Sequence, residues 1–183
     1  MTADRADSHD RDKLARWHND LVSNPPGKFP AYAVFLVTGD DRAAHDVFRE
    51  FRSSFEERQA GFEHLVIFGQ HGVSTTLLGM MSQLGMSKEE IPSLALFSEP
   101  GAKTALTLSL TAGGNVDRCE GSESAGIEGK PAESWRAVLN QLEAAAQGNL
   151  MGLDLASLTG PIVPRQGSGS MLEMVEQLLR DIP

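Results

Sequence analysis

The chain has 183 residues and a formal net charge of −9, and its length suits one domain of ordinary size with extensions. The acidic excess argues against a surface for nucleic acid or for an anionic membrane, because both bind surfaces rich in lysine and arginine. No apolar run approaches the ~20 residues of a membrane helix, and the polar start MTADRADSHDRDK has no signal-peptide core, so we expect a cytoplasmic protein.

The first thirty residues are predicted to form a tail and one short helix. Residues 1–9 are polar and charged, and we expect them to be disordered. Asp10 is expected to cap a helix over 11–22, which has one apolar face. The segment SNPPGKFP at 23–30 ends this helix, because two prolines and a glycine cannot continue it.

Two buried strands joined by a helix are predicted next. The unbroken apolar run at 31–37 is typical of a central strand that is buried on both faces, and 64–68 predicts a second such strand. Two strands connected in this way form a right-handed parallel unit. The helix between them, at about 42–59, has a continuous apolar stripe formed by Ala44, Val47, Phe48, Phe51 and Phe55.

The following residues are predicted to complete the sheet with an antiparallel hairpin. The elements in chain order are a helix at 74–84, a strand at 91–97, a turn at 98–101, a strand at 105–111, a glycine-rich loop at 113–130 and a helix at 132–147. The second hairpin strand alternates apolar and polar residues, so one of its faces is buried. The sequence therefore predicts an α/β protein with a mixed four-stranded sheet and helices on both faces.

A C-terminal extension with one terminal helix is predicted after this region. The helix covers 170–180, and Ser170 and Glu173 can form a capping box at its start. Its apolar stripe needs a surface to pack on, so we expect it to dock either on its own domain or on a second copy of the chain. The chain is thus divided into 1–30, 31–147 and 148–183.

One segment has a more specific pattern. Leu84-Gly85-Met86 is followed by Ile91-Pro92-Ser93-Leu94-Ala95-Leu96-Phe97, which is similar to the thioredoxin family's segment, where a helix ends at a glycine and leads into an Ile-Pro-Thr-apolar strand. With the order and spacing of the elements, residues 31–147 resemble the thioredoxin fold, a three-layer α/β/α architecture. The resemblance implies that Ile91-Pro92 is a cis peptide bond beside the family's redox site.

The family's redox motif is missing from this sequence. Asp40-Asp41-Arg42-Ala43 stands after the first strand, where the family has Cys-x-x-Cys. Disulfide exchange needs a thiolate nucleophile and a second thiol, and the chain has a single cysteine, Cys119. The family's best-known activity is therefore not expected, and no cofactor is predicted.

Polar residues are nevertheless predicted to gather at the carboxyl ends of the parallel strands, where ligands bind in open α/β sheets. These residues are Asp40, Asp41, Arg42, His45 and His71. Asp40, His45 and His71 can form a small polar or metal site. Alternatively, Asp40 or Asp41 caps the helix, Arg42 pairs locally and both histidines are solvated. Their spacing matches no standard metal motif, so no metal is predicted.

Two functions are compatible with these features. The first is a redox-inactive thioredoxin-like protein that binds another protein or peptide. Some cysteine-free members of the family act in this way, as assembly chaperones or scaffolds. Its groove would lie beside Ile91-Pro92 and the loop from Asp40 to His45, with strand-like backbone pairing at residue 91. The alternative is a thiol-dependent oxidoreductase that uses Cys119 or a glutathione-type site. Neither nucleic acid nor a membrane is an expected partner.

Overall fold

A mixed five-stranded sheet lies between two layers of helices. The computed structural model describes residues 2–23, 30–58, 62–109, 130–147 and 162–182. Two short 3-10 helices, Phe62–His64 and Lys88–Glu90, precede β2 and β3. In chain order the other elements are α1 (Thr2–Ser23), β1 (Tyr32–Leu36), α2 (Arg42–Glu57), β2 (Leu65–Phe68), α3 (Thr75–Gln83), β3 (Ser93–Phe97), β4 (Thr104–Ser109), α4 (Lys130–Gln147), β5 (Val163–Gln166) and α5 (Met171–Asp181).

The strands lie in the order β2-β1-β3-β4-β5. β1 and β2 are parallel, whereas β3 is antiparallel to both β1 and β4. The predicted parallel unit, the predicted hairpin and the α/β class are therefore confirmed. The predicted count of four strands is wrong, because β5 pairs with the outer side of β4.

The sequence of β5 does not indicate a strand. Three of its four residues are exposed, and Pro164 lies inside it. Its conformation comes from antiparallel pairing with β4, in a register that runs from Thr104 opposite Gln166 to Thr107 opposite Val163. An edge strand can contain a proline because only one of its sides needs N–H donors.

The two helical layers cover opposite faces of the sheet. α2 and α4 pack on one face, where Phe35 and Trp135 belong to one apolar cluster. α1, α3 and α5 pack on the other face, in a second cluster that includes Trp17 and Leu36. The side chains of β1 alternate between the two clusters and all five are buried, as predicted for a central strand.

α1 begins much earlier than predicted. Residues 2–9 are helical, so the predicted disorder is wrong for them, and Asp10 lies inside the helix and does not cap it. Asp10 is 1% exposed, and its Oδ2 accepts hydrogen bonds from the Gly69 N–H at 2.7 Å and from the Ser74 hydroxyl at 2.6 Å. The charged N-terminal turns are thus ordered by partners on the turn between β2 and α3.

α5 docks on its own domain. Met171, Met174, Val175 and Leu178 are buried in the same apolar cluster as α1 and α3. The predicted capping box is also present: the Ser170 hydroxyl oxygen accepts from the Glu173 N–H at 3.3 Å, and the Glu173 carboxylate accepts from the Ser170 N–H at 2.7 Å. The C-terminal helix is therefore part of the folded core.

Candidate binding site

An open cleft of about 370 Å³ lies at the carboxyl ends of β1 and β2. The turn after β1, the first turns of α2 and the turn after β2 form its walls. It is lined by Gly39, Arg42, His45, Asp46, Arg49, Gln70 and His71. This is the sheet edge at which the sequence predicts a site, because the carboxyl ends of parallel strands meet there.

The turn from β1 into α2 is held by Thr38 and Asp41. Oδ2 of Asp41 accepts hydrogen bonds from both the backbone N–H and the hydroxyl of Thr38, each at 2.7 Å. Asp41 occupies the N-cap position of α2, but its side chain makes no hydrogen bond to the first N–H groups of the helix. Of the two caps that the sequence allows, Asp40 or Asp41, the one by the Asp41 carboxylate is therefore wrong, and the positive end of the α2 dipole has no side-chain cap from this residue.

His45 stabilises the turn from inside. It is 8% exposed, and its Nε2 donates to the carbonyl oxygen of Thr38 at 2.8 Å. Its backbone N–H donates to the Asp41 carbonyl oxygen at 3.1 Å. The expectation that both histidines are solvated is thus wrong for His45, whose ring is fixed as part of the cleft wall.

Arg42 is the cation that the cleft offers to a ligand. It is exposed, and it forms no ion pair with any residue in the described part of the chain. Arg49, by contrast, is paired with Asp46 at 2.9 Å. An anion in the cleft would therefore meet one unpaired guanidinium close to the N-terminus of α2, where negative charge is favoured.

His71 forms the opposite wall, next to His9 of α1. The two rings meet edge to face, with their centroids 4.4 Å apart. Burial lowers the pKa of His9, and the charges of Lys13 and His71 lower it further. His9 contacts His71 but does not itself line the cleft.

The Ile91-Pro92 bond is cis, as the resemblance implies. Pro92 directly precedes Ser93, and Ser93 is paired with Leu36, the last residue of β1. The backbone at Ile91-Pro92, called the bend below, therefore lies at the same end of the sheet as the cleft. The Ile91 N–H already donates to the Lys88 carbonyl oxygen at 3.3 Å. A partner strand at residue 91 would therefore have to pair with the carbonyl oxygen of Ile91.

Hydrogen bonds and an ion pair of Glu90 and Arg165 stabilise the segment before this bend. The carbonyl oxygen of Glu90 accepts the hydroxyls of Ser93 and Ser109 at 2.6 and 2.7 Å. Arg165 of β5 forms an ion pair with the Glu90 carboxylate and donates to the Gly85 carbonyl oxygen at 3.0 Å. The additional strand β5 thus holds the bend in its position.

The structure brings three of the predicted site residues into one cleft: Arg42, His45 and His71. Asp40 and Asp41 belong to the adjoining turn and do not line it, and Cys119 lies outside the described residues. The sequence interpretation missed the other lining residues, Gly39, Asp46, Arg49 and Gln70. One available signal was the spacing of Arg42 and Arg49, two helical turns apart on one face of α2.

Comparison with protein-family models, with curated proteins and with solved structures finds no match. No helix in the described ranges is long and apolar enough to cross a membrane. Among the described side chains, no group of three or more histidine, cysteine, aspartate or glutamate residues is placed to hold a metal ion.

Proposed function

We propose that this protein is a redox-inactive, thioredoxin-like binding module that takes an acidic segment of another protein or peptide into the cleft at Arg42. The observation that carries this proposal is the open cleft of about 370 Å³, in which an unpaired guanidinium lies close to a helix N-terminus without a side-chain cap from Asp41. Both groups favour a carboxylate, the guanidinium through paired hydrogen bonds and the helix through its dipole. A cytoplasmic setting is part of the proposal.

The arrangement of the strands supports the thioredoxin-like part of this proposal. A parallel pair is followed by an antiparallel hairpin in one sheet, with helices on both faces. The resemblance implies this combination for residues 31–147. α1, β5 and α5 are additions to that core, and they pack on it or pair with it.

The turn from Thr38 to Asp41 supports the redox-inactive part. It stands at the position that the resemblance assigns to the start of the thiol pair, and it is built from hydroxyl, carboxylate and backbone groups. None of these can form or resolve a mixed disulfide. We therefore expect no reduction of insulin disulfides above a buffer control. Turnover that Cys119→Ser abolishes would favour the thiol-dependent oxidoreductase instead.

An acidic segment would be bound by two kinds of contact. Its carboxylates would pair with Arg42 at the start of α2, and its backbone N–H groups could reach the carbonyl oxygen of Ile91 at the neighbouring bend. The hydrogen bonds of Glu90 and Arg165 keep this bend in place before a partner arrives. A site that is already ordered loses less conformational entropy on binding.

A peptide-display selection against the immobilised full chain tests this function. We expect peptides rich in aspartate and glutamate to be enriched. Fluorescence anisotropy should then show at least ~10-fold weaker binding to Arg42→Glu, because a charge-assisted hydrogen bond contributes about 1.5–3 kcal/mol. Arg180→Glu, which changes an exposed arginine on α5, is the matched control and should bind as the wild type does. The proposal would be refuted if the selection did not enrich acidic peptides, or if Arg42→Glu and Arg180→Glu lost the same amount of binding affinity.

A further inference from the structure

A second cavity, of about 240 Å³, lies between α1, α2 and the free edge of β2. Its floor is apolar and is formed by Phe48, Phe55, Phe62, Leu65 and Ile67. Phe48 and Phe55 are 7% and 1% exposed, so the core holds both rings in place. The cavity therefore presents a fixed apolar surface to whatever enters it.

The rim of this cavity is positively charged, although the protein as a whole has a net charge of −9. Lys13, Arg16 and Arg52 all line it. Arg52 is neutralised by Glu56 at 3.0 Å, and Lys13 faces Asp10 at 3.5 Å. Arg16 is the rim cation that has no ion pair with any residue in the described ranges.

The guanidinium of Arg16 is oriented by an aromatic ring. Its central carbon lies 5.9 Å from the centre of the Phe62 ring. A guanidinium placed over a ring keeps its N–H donors at its edges, where they can bind a carboxylate in a bidentate manner. His9 adds an imidazole to the same rim. The polar and apolar groups of the cavity thus meet at Arg16 and Phe62.

A peptide strand is unsuited to this cavity, because two backbone groups at the end of β2 and just after it already have side-chain partners from α1. Lys13 Nζ donates to the Ile67 carbonyl oxygen at 2.6 Å, and the Asp10 carboxylate accepts from the Gly69 N–H at 2.7 Å. An inorganic anion would leave the phenylalanine floor in water, and a pure hydrocarbon would leave Arg16 unpaired. The ligand that satisfies both surfaces is amphipathic and anionic.

We propose that this cavity binds a small organic carboxylate with an aryl or short alkyl tail, whose carboxylate pairs with Arg16 and whose tail packs on Phe62 and the apolar floor. The volume of about 240 Å³ is smaller than the ~300–1,000 Å³ typical of sites for drug-sized ligands, which restricts the tail to about one ring. Gln70 borders both this cavity and the cleft at Arg42, but the two proposals use different cations and can fail separately.

Isothermal titration calorimetry of the full chain with 4-phenylbutanoate tests this proposal. We expect saturable binding at one site, weakened roughly 10-fold or more in Arg16→Gln, since one charge-assisted pair is lost. The neutral analogue 4-phenyl-1-butanol should bind the wild type weaker by a similar factor. Phe62→Leu should also weaken binding, because it removes the ring under both the tail and Arg16. Arg180→Gln changes an exposed arginine of α5 that lines neither this cavity nor the cleft at Arg42, and it should leave binding unchanged.

Several outcomes would overturn the proposal. One is that the wild type does not bind 4-phenylbutanoate. Another is that Arg16→Gln binds 4-phenylbutanoate as well as the wild type does, and that the wild type binds the neutral alcohol as well as the carboxylate. Loss of binding in Arg42→Glu with normal binding in Arg16→Gln would place the carboxylate in the other cleft. A change in subunit number on Arg16→Gln, measured by light scattering, would mean that a second copy of the chain covers this cavity.

Discussion

The ammonium group of Lys13 donates a hydrogen bond to the carbonyl oxygen of Ile67 at 2.6 Å, on the free edge of β2. One turn earlier in α1, Asp10 accepts from the Gly69 N–H at the end of the same strand. The side chains of Lys13 and Asp10 are 6% and 2% exposed and face each other at 3.5 Å. α1 thereby closes a strand edge that would otherwise offer unpaired backbone groups to another chain.

A double-mutant cycle should detect this buried pair. Asp10→Asn leaves the ammonium of Lys13 buried without a carboxylate, and we expect it to lower the free energy of unfolding by about 3–5 kcal/mol. Lys13→Met should cost less, because Asp10 keeps its hydrogen bonds with Gly69 and Ser74. Urea denaturation of both single variants and the double variant should give a coupling energy above ~0.5 kcal/mol. Additive effects would contradict the pairing.

His64 should make the protein sensitive to acid. Its side chain is buried, its Nδ1 donates to the Ala31 carbonyl oxygen at 3.0 Å, and burial lowers its pKa below 6.5. The unfolded chain therefore binds a proton in a pH range where the folded protein does not. Stability should fall as the pH drops from 6.5 towards the lowered pKa, and the loss should be complete below it.

The control for this effect is His64→Asn, which keeps a donor for Ala31 but does not titrate. The melting temperature of the wild type should fall more than that of this variant between pH 7.5 and pH 5.5. Parallel pH profiles of the two proteins would show that His64 is not the responsible group.

Gly69 and Gly85 both have positive φ angles, of 84° and 62°, but only Gly69 is tightly packed. A Cβ at Gly69 would lie 1.9 Å from the Val37 carbonyl oxygen, whereas a Cβ at Gly85 has nothing within 4 Å. Gly69→Ala should therefore lower the free energy of unfolding by more than about 3 kcal/mol. Gly85→Ala should lower it by only ~1–2 kcal/mol, which is the cost of placing an alanine in the left-handed conformation. Similar urea midpoints for the two variants would contradict the close approach at Gly69.

The docking of α5 can be tested at Met174, which is 1% exposed in the apolar cluster beneath the helix. Met174→Ala should lower the free energy of unfolding by about 2–5 kcal/mol, through lost burial and the cavity it leaves. Gln177→Ala on the exposed face should change it by less than about 0.5 kcal/mol. Removing residues 165–183 should lower the melting temperature without changing the subunit number in light scattering. A lower subunit number would mean that α5 also joins two chains.

A burial pattern that is continuous along the chain is enough to predict several of the elements. β1 and β2 are short apolar runs because both of their faces are covered, and α2 and α5 show stripes because one face of each is buried at helical spacing. The sheet edge of the candidate site followed from the same pattern, since Arg42, His45 and His71 come directly after two parallel strands.

The start of α1, the strand β5 and the second cavity depend on contacts between residues that are distant in the chain. The partners of Asp10 and Lys13 are 54 to 64 positions away, so no local pattern shows why a charged segment is helical there. β5 exposes most of its side chains and is a strand because β4 supplies its hydrogen bonds. The cavity at Arg16 exists only because α1 crosses the edge of β2 opposite α2, a relationship set by packing between residues distant in the chain.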